Sequence, residues 1–226
     1  MNEDNEMTMT FPTGGTGGDF KRVPAGSHIA VCNLIADCGM QPGSPLYPSP
    51  KHKLYVRFEI PAERVEYEKD GKTIEGPMTI GSFYTASMNE KATLRKHLES
   101  WRGRAFTDEE AAQFDVSAIL GKGCMLSVVH SESGGKTYAN IVGIGSLPRG
   151  VPIPAPENPL LYYDDQSPAV DFDKLPKWLQ GKISGQLTGP VPQALDAHPN
   201  QDSAGGGFED DDIPFAPLGK HAHWIA

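Results

Sequence analysis

The sequence predicts a mainly β fold for the middle of the chain. Five segments of strand character lie between residues 27 and 144, and turn signals typical of antiparallel connections separate several of them. One longer segment, residues 89–101, has helical periodicity instead. The chain of 226 residues also contains 25 glycines and 20 prolines, so part of it is expected to lie outside any packed core.

The strands are predicted from runs of apolar and β-branched residues. They are Ser27–Asp37, Lys51–Ile60, Met78–Met88, Cys124–Ser131 and Lys136–Ile144. Between the second and third strands, Arg64–Ile74 contains Asp70-Gly71, a strong signal for a hairpin turn. The sequence Ser133-Gly134-Gly135 predicts a second tight hairpin, between the fourth and fifth strands.

A helix is predicted between the third and fourth strands. Leu94, Leu98 and Trp101 recur at i, i+4 and i+7, which gives the helix one apolar face and assigns Trp101 to the core. Asn89 is expected to cap its first turn.

A short second helix is predicted at Thr107, whose hydroxyl is followed three residues later by Glu110 in the pattern of a capping box. The resulting order is β-β-β-α-β-β, which is the order of a five-stranded OB-like barrel. Other small β-barrels also have five strands.

The charge of the chain is distributed unevenly. The net charge of −9 divides into −4 for residues 1–19, +2 for residues 20–150 and −7 for residues 151–226. The last segment also holds 11 of the 20 prolines. We therefore expect a disordered arm at 1–19, a folded domain at 20–150, and a disordered Pro/Gly-rich acidic tail at 151–226. One short helix is expected near 175–184, where Pro176 suits a first helical position.

Several functional classes are disfavoured. No apolar run is long enough to span a bilayer, and the acidic N-terminus is unlike a signal peptide, so no membrane partner is expected. Cys32, Cys38 and Cys124 form no C-x-x-C pair, which disfavours a disulfide scaffold or zinc site and favours a reducing cytoplasm. No catalytic, metal-binding or phosphate-loop spacing is present. We expect no enzyme activity, no metal and no cofactor.

The second strand carries the main candidate site. Alternate side chains of a strand point to opposite faces, so Lys51, Lys53, Tyr55, Arg57 and Glu59 share one face while apolar residues occupy the other. Cations that contact phosphates and aromatic rings that stack on bases hold single-stranded nucleic acid. The net negative charge of the whole chain argues against such a ligand. The negative charge lies in the two ends, however, and not in the predicted domain. The alternative is an ordinary solvated strand face.

Further candidates for this ssDNA-binding site are weaker. Phe83 and Tyr84 point to opposite faces of the third strand, so at most one can be an exposed stacking ring. Tyr138 lies beside Lys136 on the fifth strand and fits either a stacking or a core role. The candidates added to the site are Tyr84, Arg102, Arg104, Lys136 and Tyr138.

The tail contains an acidic and hydrophobic motif that fits a peptide ligand. Its carboxylates would match a basic rim, its two apolar side chains would fill a pocket, and its proline would limit the entropy lost on docking. The alternative is a disordered tail with chance hydrophobic residues. The candidate partner-binding residues are Asp210, Asp211, Asp212, Ile213, Pro214 and Phe215.

This motif resembles the C-terminal tip of bacterial single-stranded DNA-binding proteins. Segments 94–104, 121–124 and 147–150 further resemble phage-encoded single-stranded DNA-binding proteins, over roughly residues 20–185. The resemblance implies an OB domain, a disordered linker and an acidic tip that recruits replication and repair enzymes. In the bacterial family the phenylalanine is the last residue and its α-carboxylate takes part in docking, whereas eleven residues follow Phe215 here.

These observations predict a sequence-independent protein that binds and protects ssDNA. It would recruit replication or recombination proteins through the acidic tail, in phage DNA replication or recombination in the host cytoplasm. A homo-oligomer is compatible with the sequence, and the choice between DNA and RNA stays open. The main alternative is an interaction adaptor or a DNA-mimicking inhibitor of a DNA-processing enzyme. A nuclease whose acidic residues do not stand out as a set is a third reading.

Overall fold

A computed structural model describes residues 21–43, 48–69, 72–164 and 172–187. The predicted N-terminal arm at 1–19 and the tail motif at 210–215 lie outside the described residues. The described strands are β1 (Gly26–Gln41), β2 (Lys51–Lys69), β3 (Lys72–Thr85), β4 (Gly123–Ser133), β5 (Lys136–Gly145) and β6 (Leu161–Tyr163). The α-helices are α1 (Thr93–Arg102), α2 (Asp108–Ala112) and α3 (Lys177–Ser184), and two 3-10 helices span Val116–Ile119 and Phe172–Lys174.

The prediction of a mainly β fold is confirmed. Five strands form a curled antiparallel half-barrel in the order β3-β2-β1-β4-β5, and the short β6 pairs in parallel with β1. The first part of β1 pairs with β4 and its later part with β2. The register between β1 and β2 shifts at Cys32/Leu34 and again at Asp37/Met40. Such bulges bend a strand and increase its twist, which suits a strand that follows the curl of the sheet.

Strands β2 and β3 form a longer ribbon than the sequence predicts. Their pairing continues to Lys69 and Lys72, so the Arg64–Ile74 segment is mostly strand. Tyr67 lies across Gly76, where an added Cβ would come within 3.0 Å of the tyrosine ring. The ring therefore occupies the space that a side chain at position 76 would fill.

The inner face of the curled sheet packs against α1 and forms the main core. Leu94 and Leu98 are buried there, as their spacing predicts. The Trp101 ring lies 5.7 Å from that of Phe58, measured between centroids, and its Nε1 donates to the Gly123 carbonyl at 2.8 Å. Trp101 therefore packs against the core, as predicted from the apolar stripe of the helix.

The two helix starts differ in how well the sequence predicts them. The capping box of Thr107 and Glu110 at α2 is confirmed, with both of its hydrogen bonds present. The prediction that Asn89 caps α1 is wrong, because the N-cap is Ala92. The Asn89 carboxamide oxygen instead accepts from the backbone N–H of Lys91 at 3.0 Å. An asparagine that bonds two residues ahead stabilises a local turn, and this turn delays the start of the helix.

A second apolar layer covers the outer face of the sheet. Leu175, Leu179 and Ile183 from the α3 region pack with Leu161 of β6 on the outer side chains of β1 and β2. The α3 helix lies where a short helix is predicted, but Pro176 is its N-cap and Lys177 its first helical residue. The packing differs from the expectation of a largely extended tail after residue 150. The reason lies in β1, which is apolar on both faces and needs cover on both.

No helix in the described ranges combines the length and the apolar character that crossing a membrane requires.

Candidate nucleic-acid interface

Tyr55 is the centre of the predicted site, but its ring is 7% exposed. It packs against Phe83, with ring centroids 4.9 Å apart, and against Trp178 of α3 at 5.1 Å. On β3 the ring lies across Gly81, where an added Cβ would come within 2.1 Å of the tyrosine oxygen. Burial raises the pKa of Tyr55 to about 12. The expectation of an exposed ring at Tyr55 is therefore corrected: α3 covers it.

Arg57, which is partly exposed, and Glu59, which is buried, are joined by a series of polar side chains. The first bulge of β1 places Asn33 between them, so that Arg57 Nε donates to Asn33 Oδ1 at 3.0 Å and Asn33 Nδ2 donates to Glu59 Oε2 at 3.2 Å. Desolvation lowers the pKa of the Arg57 guanidinium, although arginine stays charged. Arg57 therefore orients the carboxamide of Asn33, in addition to any role toward a ligand.

The Glu59 carboxylate holds the segment that follows the five-stranded sheet. It is 0% exposed and accepts hydrogen bonds from the backbone N–H groups of Glu157 at 2.6 Å and Asn158 at 3.0 Å. The Asn158 side-chain amide donates a further hydrogen bond at 2.7 Å. A buried carboxylate needs such donors to offset its lost hydration. The acidic end of the predicted cationic face is thus a structural attachment point.

Lys51 and Lys53 are partly exposed at the start of β2. Lys53 pairs in register with Thr85 and donates to its hydroxyl at 3.5 Å. Phe83 lies two residues from Thr85 and is a diagonal neighbour of Lys53 on the same face. It is partly exposed, so the accessible ring of β3 on this face is Phe83.

Tyr84 lies on the opposite face of β3, in the main core. Its hydroxyl and His97 Nδ1 form a hydrogen bond of 3.1 Å, and burial raises the pKa of the Tyr84 phenol. The expectation of an exposed stacking ring at Tyr84 is therefore corrected. The alternation of strand side chains, which allows one exposed ring out of Phe83 and Tyr84, describes both positions correctly.

Arg102 and Arg104 lie at the end of α1 and share one carboxylate. Their guanidinium groups contact Glu110 Oε1 at 3.2 Å and 2.6 Å, respectively. Hydrogen bonds from Arg104 and then Arg102 lower the pKa of Glu110 to about 2. Arg102 also lies 4.0 Å from the centroid of Phe106. Because α1 packs on the inner face of the sheet, the structure does not bring these arginines together with Tyr55.

Lys136 and Tyr138 are exposed on β5 next to the β4–β5 turn. The Tyr138 ring is 47% exposed and lies opposite Ser131, with the exposed side chains of Val129 and Val142 on the same hairpin. Gly134 and Gly135 both have positive φ values, 57° and 72°, which the tight turn requires. This hairpin is the most open part of the predicted site.

The sequence does not assign two features of the outer face to the site. One is the accessible ring of Phe83. The other is the position of the predicted helix α3, which packs on this face and places Trp178, Lys177 and Lys182 on its exposed side. A signal for α3 was available, because Leu175, Leu179 and Ile183 recur at i, i+4 and i+8 and so predict a helix with a face to bury.

A comparison with models of known protein families found no match, and a comparison with curated protein sequences found no significant relative. Among the described residues, no group of three or more His, Cys, Asp or Glu side chains could hold a metal ion. The assignment of function therefore rests on the strand arrangement and the surface chemistry of this chain.

Proposed function

We propose that this chain is a non-enzymatic, sequence-independent single-stranded DNA-binding protein built on an OB-like barrel, of the kind used in phage DNA replication or recombination. The proposal is carried by one observation. The outer face of β2 and β3 and the turn between β4 and β5 present cations and aromatic rings, and an OB-like barrel binds oligonucleotides at the corresponding face and loops.

The strand order supports an OB-like barrel. The central strand β1 pairs with both β2 and β4, and α1 lies between β3 and β4 along the chain. Residues of the edge strands β3 and β5 also approach one another, without hydrogen-bonded pairing between the two strands. Since one fold serves many functions, the strand order by itself favours no ligand, and the argument depends on the side chains of the outer face.

The accessible side chains of the outer face of β2 and β3 and of the β4–β5 hairpin match the chemistry of single-stranded nucleic acid. Lys51, Lys53 and Lys136 supply positive charge for phosphates, while Phe83 and Tyr138 supply rings for stacking. Each base stacked on an aromatic ring contributes about 1–3 kcal/mol, whatever the base. Recognition through rings and charge alone is tolerant of sequence, so binding is expected to be sequence-independent.

The acidity of the tail supports a role in binding proteins rather than DNA. Residues 20–150 carry a net charge of +2, whereas residues 151–226 carry −7. We propose that the motif at 210–215 recruits replication or recombination proteins, whose basic surfaces would accept it. Removal of residues 205–226 is expected to leave the affinity for ssDNA unchanged or to raise it, since it removes negative charge.

The decisive experiment is a titration of labelled oligo-dT of roughly 30 nucleotides with the full chain, followed by fluorescence anisotropy at several salt concentrations. The logarithm of the binding constant should fall linearly with the logarithm of salt concentration, by about 0.7 for each phosphate neutralised. The double variant Lys136→Ala, Tyr138→Ala should weaken binding about tenfold or more, from one lost stack and one lost phosphate contact.

The matched control is Glu132→Ala on the same hairpin, which removes an exposed acid and should not weaken binding. Absence of binding to oligo-dT at low salt would refute the proposal. If a DNA-processing enzyme were then bound and inhibited through the acidic tail, the adaptor or DNA-mimic function would replace it.

A further inference from the structure

We infer that α3 is part of the ssDNA-binding surface, with Trp178 as a base-stacking ring and Lys177 and Lys182 as phosphate contacts. This inference rests on the proposed function and adds a third element to the site. It assigns the stacking role expected of Tyr55 to the aromatic ring that covers it.

Trp178 is open to solvent although it belongs to an aromatic cluster. Trp178 is 53% exposed. Its ring lies edge-on to the ring of Tyr55 at 5.1 Å and to that of Phe83 at 6.2 Å, measured between centroids. A single exposed apolar residue needs no explanation, but two adjacent rings with flanking cations form a patch that fits a ligand. The contacts with Tyr55 and Phe83 hold the indole in one orientation, which reduces the entropy lost on stacking.

The α3 segment is a basic island in an acidic part of the chain. Residues 172–187 contain three lysines, Lys174, Lys177 and Lys182, and one acid, Asp173, whereas the rest of residues 151–226 contains one lysine and ten acids. Lys177 and Lys182 are exposed on α3. The Lys182 ammonium lies 5.9 Å from the centroid of Phe83, which places a cation beside the second ring. This charge is complementary to a phosphate backbone.

The helix is firmly attached to the sheet. Leu179 is 0% exposed beneath it, and Gln41 Nε2 donates to the Lys182 carbonyl at 3.1 Å. Just beyond the helix, Leu187 N donates to the Met40 carbonyl at 2.7 Å. The apolar side of α3 therefore faces β1 and β2, and its basic and aromatic side faces outward. Packing on the sheet requires only the apolar side. A nucleic-acid ligand accounts for the basic and aromatic side.

The test compares three substitutions of Trp178 in the full chain, with oligo-dT binding as the readout. Trp178→Ala and Trp178→Leu should each weaken binding by about 5-fold to 150-fold, the range for one lost stack. Leucine keeps an apolar side chain against Tyr55, so a loss shared by both variants is due to the missing ring. Trp178→Phe keeps a ring and should retain most of the affinity.

Tryptophan fluorescence gives a second readout. The indole emission of the wild-type chain should be quenched by oligo-dT, and the quenching should largely disappear in Trp178→Phe. Wild-type affinity in the Ala and Leu variants would overturn the inference and leave the proposed function standing. Tighter binding by these variants would also overturn it, because α3 would then be a cover that ssDNA displaces. Absence of wild-type binding to oligo-dT would overturn both.

Discussion

The buried carboxylate of Glu59 offers the sharpest test of how the residues after the five-stranded sheet are attached. We predict that Glu59→Gln, which changes little in shape, destabilises the folded chain. The carboxylate accepts hydrogen bonds from Asn33, Glu157 and Asn158 at both of its oxygens. A carboxamide has only one oxygen. Its NH₂ group would take the position of the second carboxylate oxygen and would face an N–H donor there.

The magnitude follows from the four hydrogen bonds that the carboxylate accepts. One buried donor left without an acceptor costs about 1–3 kcal/mol, and a hydrogen bond to a neutral group contributes about 1 kcal/mol less than one to a charged group. Local relaxation recovers part of this sum. We expect the free energy of unfolding to fall by about 2–4 kcal/mol, and Tm by roughly 5–15 °C.

Urea denaturation followed by circular dichroism measures this change, with Tm as a second readout. The matched control is Glu157→Gln, because the Glu157 side chain is exposed and pairs with Arg64 at the surface. An exposed ion pair contributes at most about 1 kcal/mol, so this variant should lie close to wild type. If Glu59→Gln lost no more stability than Glu157→Gln, the carboxylate would not hold residues 157–158, and the reasoning would fail.

Three further predictions concern the packing and titration of the fold. Leu179→Ala should lower the free energy of unfolding by about 2–4 kcal/mol, because Leu179 is buried. The control Leu160→Ala, at an exposed position, should change it by less than about 1 kcal/mol. Equal effects of the two variants in urea denaturation would mean that α3 does not unfold together with the sheet. Hydrogen bonds, of which the one from Arg104 has the largest effect, lower the pKa of Glu110 from 4.5 to about 2. The ionised carboxylate therefore stabilises the folded state fully above pH 4.5, and this contribution is lost as the pH falls toward 2. The Tm advantage of wild type over Glu110→Gln should therefore be constant above about pH 5 and shrink below it, and an advantage that persisted at pH 2 would contradict the assignment. All three thiols are buried, and burial raises the pKa of Cys32 to about 12. A thiol reagent at neutral pH should therefore react with the cysteines only after denaturation. Rapid labelling of the native protein would refute this burial.

Local signals account for the elements that the sequence predicts well. The alternation along Lys51–Ile60 correctly separates its two faces, and the pattern of Thr107 and Glu110 locates a capping box. The apolar stripe of α1 correctly assigns Leu94 and Leu98 to the core. Each of these depends on residues within one or two turns or on one strand, where backbone geometry fixes which side chains share a face.

The candidate site was harder to predict because exposure depends on distant segments. Alternation places Tyr55 on the outer face but contains no information on whether another segment covers that face. A segment 123 residues further along the chain supplies Trp178, and the hydrogen-bonded series Arg57–Asn33–Glu59 also depends on a bulge in a different strand. Composition was misleading here, since proline and acidic residues after 150 surround two short segments that pack on the sheet.

The sequence by itself determined the mainly β class, the order of the main strands and helices, and the separation of acidic ends from a weakly basic middle. Only the tertiary structure decided which surfaces stay open. Side chains that share a strand face do so through local geometry, whereas burial is a property of two surfaces that meet. For this chain the second surface is α3, which buries Tyr55, exposes its own Trp178 and leaves Phe83 partly exposed beside it.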